Sequence, residues 1–494
     1  MKSLFPVLIV CILMIYACGP DDDLITDSGA QLEFSTDTLT FDTVFTALGS
    51  ATRILKIYNP HSQRISIDKI DMARGSSSKF RLNVDGIPGL SFENVEIPPE
   101  DSIYIFTEVT VDPDQDISSS PYVIFEDLVF ETNGNSQKVV LEAWGQNANY
   151  IPNQFNNGGD YVLPCAGGTA VWDDEKPYVI FGILVIDNCV LTVKEGTDIY
   201  VHGGLESFFN QDSLRVFYND GRIITTSTGT MRIEGTYENP VTIQGDRLEE
   251  GFDDQWGQWF GIVLTAGSKN NLFNYTTVKN AVIGVAVDST AVLETNYSVF
   301  HNTTASGILG INAEITANNC LVYNNGGGGV TFLEGGTYDF NYCTIASYGV
   351  DADALGMSDI LCLDQPFCEQ FYVGDLNANF KNCIITGSRA DEIALAKRVD
   401  NSQFNYQFEN CIVKLDDVLT MGDYTDFLDH CPNCINMVSS DPLFFDTGDD
   451  DYHLDTLSIA EEMAIPIMSL VRDLDNTNRD MLTPDIGCYE YVFE

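Results

Sequence analysis

The chain of 494 residues carries 73 acidic against 24 basic side chains, a net charge of −49. A field of that sign repels phosphate backbones and anionic lipid surfaces, which excludes nucleic acid as a partner. Apolar residues at 44% and aromatic residues at 11% exclude a disordered chain.

At the start, Lys2 precedes an almost unbroken apolar run from Leu4 to Ile15, which stops at Tyr16-Ala17-Cys18. The run is short for a bilayer span, and residues 1–17 have the layout of an export signal. Ile15-Tyr16-Ala17-Cys18 resembles the lipobox of bacterial lipoproteins. That resemblance implies acylation of Cys18 and attachment to a membrane through the lipid. Gly19-Pro20-Asp21-Asp22-Asp23 opens an acidic tether over residues 18–30. It resembles the signal that sends lipoproteins to the outer face of the outer membrane in one phylum of Gram-negative bacteria. The expectation is therefore a lipid-anchored protein exposed at the cell surface.

Residues 31–147 read as short strands between turns. Ile103, Ile105, Val109 and Val111 share one face of an alternating run that only Thr107 interrupts. Val139, Leu141 and Ala143 form another such run, preceded by the turn-forming Asn133-Gly134-Asn135. Strands at this spacing, without helical periodicity or cysteines, predict a β-sandwich of immunoglobulin-like type. Phe41-Asp42-Thr43-Val44-Phe45 and the run from Ile54 to Asn59 resemble Ig-like modules that precede repeats in bacterial surface proteins.

The texture changes after Trp144, and a repeat takes over for residues 148–494. Thr276, Ser298, Cys320, Cys343, Cys383 and Cys411 occupy equivalent places, at steps of 22, 22, 23, 40 and 28 residues. A 22-residue period is about one rung of three short strands, and rungs stack about 4.8 Å apart, so equivalent residues recur as columns. Val278, Phe300, Val322, Ile345, Ile385 and Val413 form a second inward column. Asn280, Asn302 and Asn324 form a third, suited to an amide ladder at a bend. The predicted architecture is all-β, a sandwich followed by a right-handed single-stranded parallel β-helix. The stretches Tyr178-Val179-Ile180-Phe181-Gly182 and Trp259-Phe260-Gly261-Ile262-Val263-Leu264 resemble the opening rungs of right-handed β-helix proteins with the pectin-lyase-like fold. Asp441-Pro442-Leu443-Phe444 and Asp485-Ile486-Gly487-Cys488-Tyr489-Glu490 resemble their terminal, capping module. The fold carries lyases, hydrolases, adhesins and inert spacers, so the resemblance implies no activity.

The cysteines sort by position. Cys320, Cys343, Cys383 and Cys411 fall in the inward column and read as buried small side chains. In an exported chain Cys362 with Cys368, Cys431 with Cys434, and Cys165 with Cys189 are disulfide candidates. The last pair stands one rung apart.

The rung after Ile345 is expanded by about eighteen residues, and insertions on a regular scaffold are where function gathers. It supplies Asp351, Asp353, Asp359, Asp364 and Tyr372 as candidate glycan or cation contacts. Calcium is the one cofactor such carboxylates would admit. The next expansion holds Arg389, Asp391, Glu392, Lys397 and Arg398. Trp256 invites a sugar-stacking role, whereas Trp259 falls within the rung pattern. No GxSxG, P-loop or HExxH motif names a catalytic class. The leading expectation is non-catalytic recognition of polysaccharide or another surface partner by loops on the coil. A polysaccharide lyase or glycoside hydrolase working in the β-helix groove is the alternative, and a structural spacer the third reading.

Overall fold

The computed structural model describes residues 24–45, 49–50, 52–111, 122–153, 159–203, 205–209, 215–249, 251–364, 367–421 and 423–492. The expected export signal, Cys18 and the start of the expected tether lie outside the described residues. The chain divides into two compact units at Ala148 and Asn149.

The first unit is two five-stranded sheets. One, ordered Glu33–Phe34, Arg53–Tyr58, Ser102–Val109, Phe80–Val84 and Ile87–Gly89, is antiparallel throughout. The other is ordered Thr38–Phe45, Asn135–Gln146, Tyr122–Thr132, Ile65–Met72 and Ser91–Ile97, and its single parallel pair joins the first two strands. Alternation sends every second side chain inward, so Leu55, Phe80 and Ile105 from one sheet meet Phe41, Ile67 and Leu141 from the other in one core. Thr107, the polar interruption, is buried on that same face with its hydroxyl unpartnered. Asn133 and Gly134 both take positive φ, which lets two residues turn the chain between Tyr122–Thr132 and Asn135–Gln146. Residues 24–30, the part of the expected tether among the described residues, are joined to this unit. Leu24 already bridges Arg64, Ile25 donates its N–H to the Arg64 carbonyl, and Ala30 is buried in the core.

The second unit is a parallel β-helix-like coil. Each rung contributes a strand to each of three faces. The first face is an eleven-stranded sheet running from Asn149–Ile151 to Ile435–Asn436. The other two faces share a sixteen-stranded sheet, because the long strands Ser306–Asn318 and Gly328–Asn341 each run through both. Register follows the repeat read from the sequence. Thr277 pairs with Val299, Val299 with Leu321, Leu321 with Thr344, Thr344 with Ile384 and Ile384 with Ile412. These are the column's own steps. The apolar column is also longer than the repeat revealed: Tyr178, Ile199 and Ile243 stand below Val278 in the same line. Its members are buried, and an aromatic file, Phe340, Phe380 and Phe408, packs inside the third face with centroids 5.3 and 4.7 Å apart.

The hydroxyl and thiol column sits at the corner entering the first face, and its members do more than fill space. Thr276, Ser298, Cys320, Cys343, Cys383 and Cys411 each direct O–H or S–H to the carbonyl two residues back. From the second member upward each also reaches a carbonyl of the rung below. In three steps the oxygen or sulfur in turn accepts the N–H of the column residue beneath it. The residue just before each member, from Tyr275 through Tyr297, Asn319, Tyr342, Asn382 and Asn410, takes a left-handed backbone with φ between 43° and 56°. That conformation strains a tyrosine. Stacking of Tyr275 on Tyr297 at 4.7 Å and burial of Tyr342 offset the strain.

The amide ladder forms one bend away from where it was expected. Asn341 donates to Asn318, Asn318 to Asn296 and Asn296 to Asn274, at 3.0, 2.8 and 2.9 Å. In the expected column only Asn324 and Asn302 pair. The amides of Asn302 and Asn280 turn instead to Asp254 and to the Asp253 carbonyl. An inserted segment between the strands Val241–Gly245 and Gly261–Leu264 occupies that corner.

Among the described residues, disulfides join Cys165 to Cys189, Cys362 to Cys368 and Cys431 to Cys434. The last closes the open end of the coil, where Phe427 continues the aromatic file 5.0 Å from Phe408 and Val418 and Leu419 lean on the core. The terminal module takes another place. Its Met437, Leu443, Leu454 and Ile486 cover Ile384 and Ile412, and its Tyr452, Leu474 and Cys488 cover Leu321 and Ala346. It therefore lies along the outer side of the first face. Arg479 pins it there, donating to Asn319 Oδ1 and Glu490 Oε2 with its guanidinium 3.9 Å from the Tyr342 ring. His453 locks the module internally, between Asp451 and Asp475 at 2.6 and 2.7 Å and stacked on Tyr489.

Two outcomes follow. Serine and threonine already occupy the column, so Cys343→Ser should stay within about 1 kcal/mol of the parent. Cys343→Leu must overpack a sealed site and should lose about 3 kcal/mol; equal unfolding midpoints for the two variants would contradict the column's role. The two carboxylates raise His453 to about 9, above its ordinary 6.5. Its contribution is then complete below about pH 6.5 and is lost as the pH rises through 9. Thermal unfolding of the parent should fall across that window relative to His453→Gln; parallel profiles would remove the clamp.

Candidate functional site

The insertions expected to carry function leave the coil between the second and third faces and at the corner between the first and second. The first forms a hairpin, Ile360–Cys362 against Phe371–Val373, stapled by the Cys362–Cys368 disulfide. Asp359 at its base is fully buried. It accepts the N–H groups of Arg398 and Val399 at 2.8 and 3.0 Å and the Ser402 hydroxyl at 2.6 Å. It thus ties this insertion to the loop of the next rung and presents no oxygen to a ligand. Asp364 is likewise turned inward on its own loop, accepting the N–H groups of Gln370 and Glu369 at 2.9 and 3.2 Å. Four bonded carboxylate oxygens in these two residues fold the insertion: Asp359 is sealed inside it, and Asp364 stays half-buried on its loop. Tyr372 is exposed, 57%, beside the exposed Phe371 and Val373 on the hairpin strand.

Asp351 and Asp353 do come together, around Arg389. The guanidinium lies 3.4 Å from Asp353 and 3.8 Å from Asp351. Burial raises the Asp353 carboxyl above its usual range and Arg389 opposes the shift. Behind them Glu392 is buried and accepts the N–H groups of Arg389 and Ala354 at 2.6 and 3.1 Å. Burial pushes it up to about 7, against the pull of those hydrogen bonds and of Lys414. Both its oxygens hold the turn, so Glu392 is a structural acid. Among the described residues no three His, Cys, Asp or Glu side chains gather as metal ligands. The carboxylates at this corner are met by Arg389 instead.

A groove of about 480 Å³ lies elsewhere, on the outside of the third face near the closed end of the coil. Alternation in the strands Leu376–Lys381 and Phe404–Glu409 points Asn377, Asn379, Asn405 and Gln407 outward. Asn405 donates to Asn377 across the rungs at 2.9 Å, and Asn379 donates to Asp339 at 2.9 Å. The segment that closes the coil returns past this surface. It sets Asp423, Tyr424, Asp426 and His430 against the amides, with Lys397 at the rim. The Tyr424 hydroxyl accepts the Lys397 N–H at 2.8 Å, which fixes the ring as a wall 6.4 Å from Phe404. Such a groove offers amide donors and acceptors, carboxylate acceptors and an aromatic wall in one trough. Its amide rows are visible in the sequence as alternating polar residues in Leu-Asn-Ala-Asn-Phe-Lys and Phe-Asn-Tyr-Gln-Phe-Glu. The return of residues 423–430 across them leaves no such signal.

The sequence matches no family model and no curated relative. Among solved structures it is similar to the catalytic unit of a thermostable GH87 alpha-1,3-glucanase from Streptomyces thermodiastaticus strain HF3-3. The identity is 8%, over 73% of this chain and 74% of that one, with a TM-score of 0.27. It is also similar to a protein of unknown function from Porphyromonas gingivalis W83, at 13% identity over 26% of this chain, with a TM-score of 0.19. The match spans half the length of that protein. A third likeness is to the ASH/PapD-like domain of human CEP192, at 12% identity over 25% of this chain and 89% of that one, with a TM-score of 0.17. None of these likenesses assigns an activity to this chain.

Proposed function

We propose that this protein is a carbohydrate-recognition lipoprotein of the bacterial outer surface, with its glycan groove on the third face of the coil. The groove is the observation that carries the reading. Sugars are recognised by amide and carboxylate groups that exchange hydrogen bonds with hydroxyls, while aromatic rings pack on their C–H faces. Asn377, Asn405, Gln407 and Asp426 supply the first kind of contact and Tyr424 the second. Asn377, Asn405 and Gln407 stand on paired strands, and the Lys397 N–H holds the Tyr424 hydroxyl, so much of the spacing is set before a ligand arrives.

The remaining parts of the proposal rest on sequence. Cys18 carries the lipid, residues beyond it form a short acidic spacer, and the N-terminal sandwich is an Ig-like stalk. The coil is right-handed, as parallel β crossovers are almost without exception. The Asp353–Arg389 pair favours a second reading, a lyase or glycoside hydrolase at the corner of the coil, since it sets a cation beside a half-buried acid.

Removing the Asn405 amide and the Tyr424 ring together should weaken binding of the full chain to a neutral polysaccharide by about tenfold or more, at ~1 kcal/mol per lost contact. Isothermal titration checks this, and an unchanged affinity would dismiss the groove. Release of reducing ends or of unsaturated sugar in the same mixture, abolished by Arg389→Ala, would establish the catalytic reading instead. Cys18→Ala should end incorporation of labelled palmitate into the expressed chain; persistent label would refute the anchor.

A further inference from the structure

We propose that the indole of Trp256 is a stacking platform for one neutral pyranose residue, a second saccharide subsite at the corner between the first and second faces. The inference rests on the carbohydrate reading of the groove but uses none of its residues. Trp256 lies in the inserted segment that displaced the amide ladder, and it is 40% exposed. The other tryptophans of the coil, Trp172 and Trp259, are buried.

The ring is exposed yet held. Just before it in the chain the Asp253 carbonyl accepts the Asn280 amide at 2.7 Å, and Asp254 accepts the Asn302 amide at 3.0 Å. Three residues after it, Trp259 is buried and donates its indole N–H to the Lys279 carbonyl at 2.9 Å. Beneath the ring is Gly326, where an added Cβ would come within 2.6 Å of the indole. A glycine at this position lets the ring rest directly on backbone. The segment therefore presents a large aromatic surface whose position is fixed before any ligand arrives, the condition under which stacking is not offset by ordering.

The rim of the platform fits hydroxyls. Asp254 has a side chain 72% exposed, with Asn302 on one oxygen and the Lys279 ammonium 4.0 Å away. The Thr304 hydroxyl lies beside the neighbouring Gly257. A pyranose laid on the indole by its C–H face would turn its edge hydroxyls to these acceptors and donors. A uronate would meet Asp253, Asp254 and the field of a chain at −49. The chemistry selects a neutral sugar.

The test uses the full chain carrying Trp144→Phe, which removes the exposed tryptophan of the N-terminal unit. It is titrated with cello-, malto-, manno- and xylohexaose, following tryptophan fluorescence and binding heat together. A hexasaccharide that binds should shift the emission and shield it from acrylamide. Trp256→Ala should abolish the shift and weaken binding by about tenfold. Trp256→Phe, which keeps a ring, should restore part of the affinity, and Tyr424→Ala should leave the shift in place. A hexasaccharide that binds with unchanged emission, and equally well to Trp256→Ala, overturns the platform while the groove stands. Silence from all four sugars in the parent overturns both.

Discussion

Every rung of this coil is hydrogen-bonded to the same positions of the rung before it, and that constraint governs what each position can hold. A residue in a parallel stack meets its own equivalent above and below about 4.8 Å away. A side chain that fits once must therefore fit against its copy. The inward line from Tyr178 through Val278 to Val413 satisfies this with apolar side chains. The corner line satisfies it with short side chains that both donate and accept. The left-handed residue before each corner bends the chain sharply enough to bring three faces around one core.

This is why so much of the coil was legible. Columns recur at the rung period, and the steps between Thr276 and Cys411 match the strand register one for one, through the expanded rungs as well. The misplaced features share a cause. Asn280, Asn302 and Asn324 have the right residue type and spacing for a ladder, but ladder formation also needs an empty corner, and the segment around Asp254 fills it. Asn274, Asn296, Asn318 and Asn341 carry the same signal at a corner that stays open. The terminal module could be recognised by its motifs but not placed, since its contacts with Tyr342, Ile384 and Ile412 link residues far apart in sequence and no periodicity announces them.

The candidate site was less legible because polar residues in insertions have two uses. Asp359 and Asp364 bear the residue type of a ligand contact and the spacing of a loop, yet their oxygens accept backbone N–H groups and, at Asp359, the Ser402 hydroxyl. An acidic side chain that folds an insertion cannot be told from one that faces solvent until its partners are known. Asp351 stays exposed and Asp353 half-buried, and Arg389 of the next rung pairs with both. The groove of Asn377 and Asn405 shows the opposite case: ordinary outward residues of regular strands become a trough only because a distant segment crosses them.

The corner line of sulfurs has a chemical consequence beyond packing. Burial holds the thiols of Cys320, Cys343 and Cys383 well above their usual range, so they carry almost no thiolate, the form that attacks disulfides. The wound coil keeps these three sulfurs from attacking a disulfide, whereas an unwound rung would expose them to water and return their thiols toward the ordinary range.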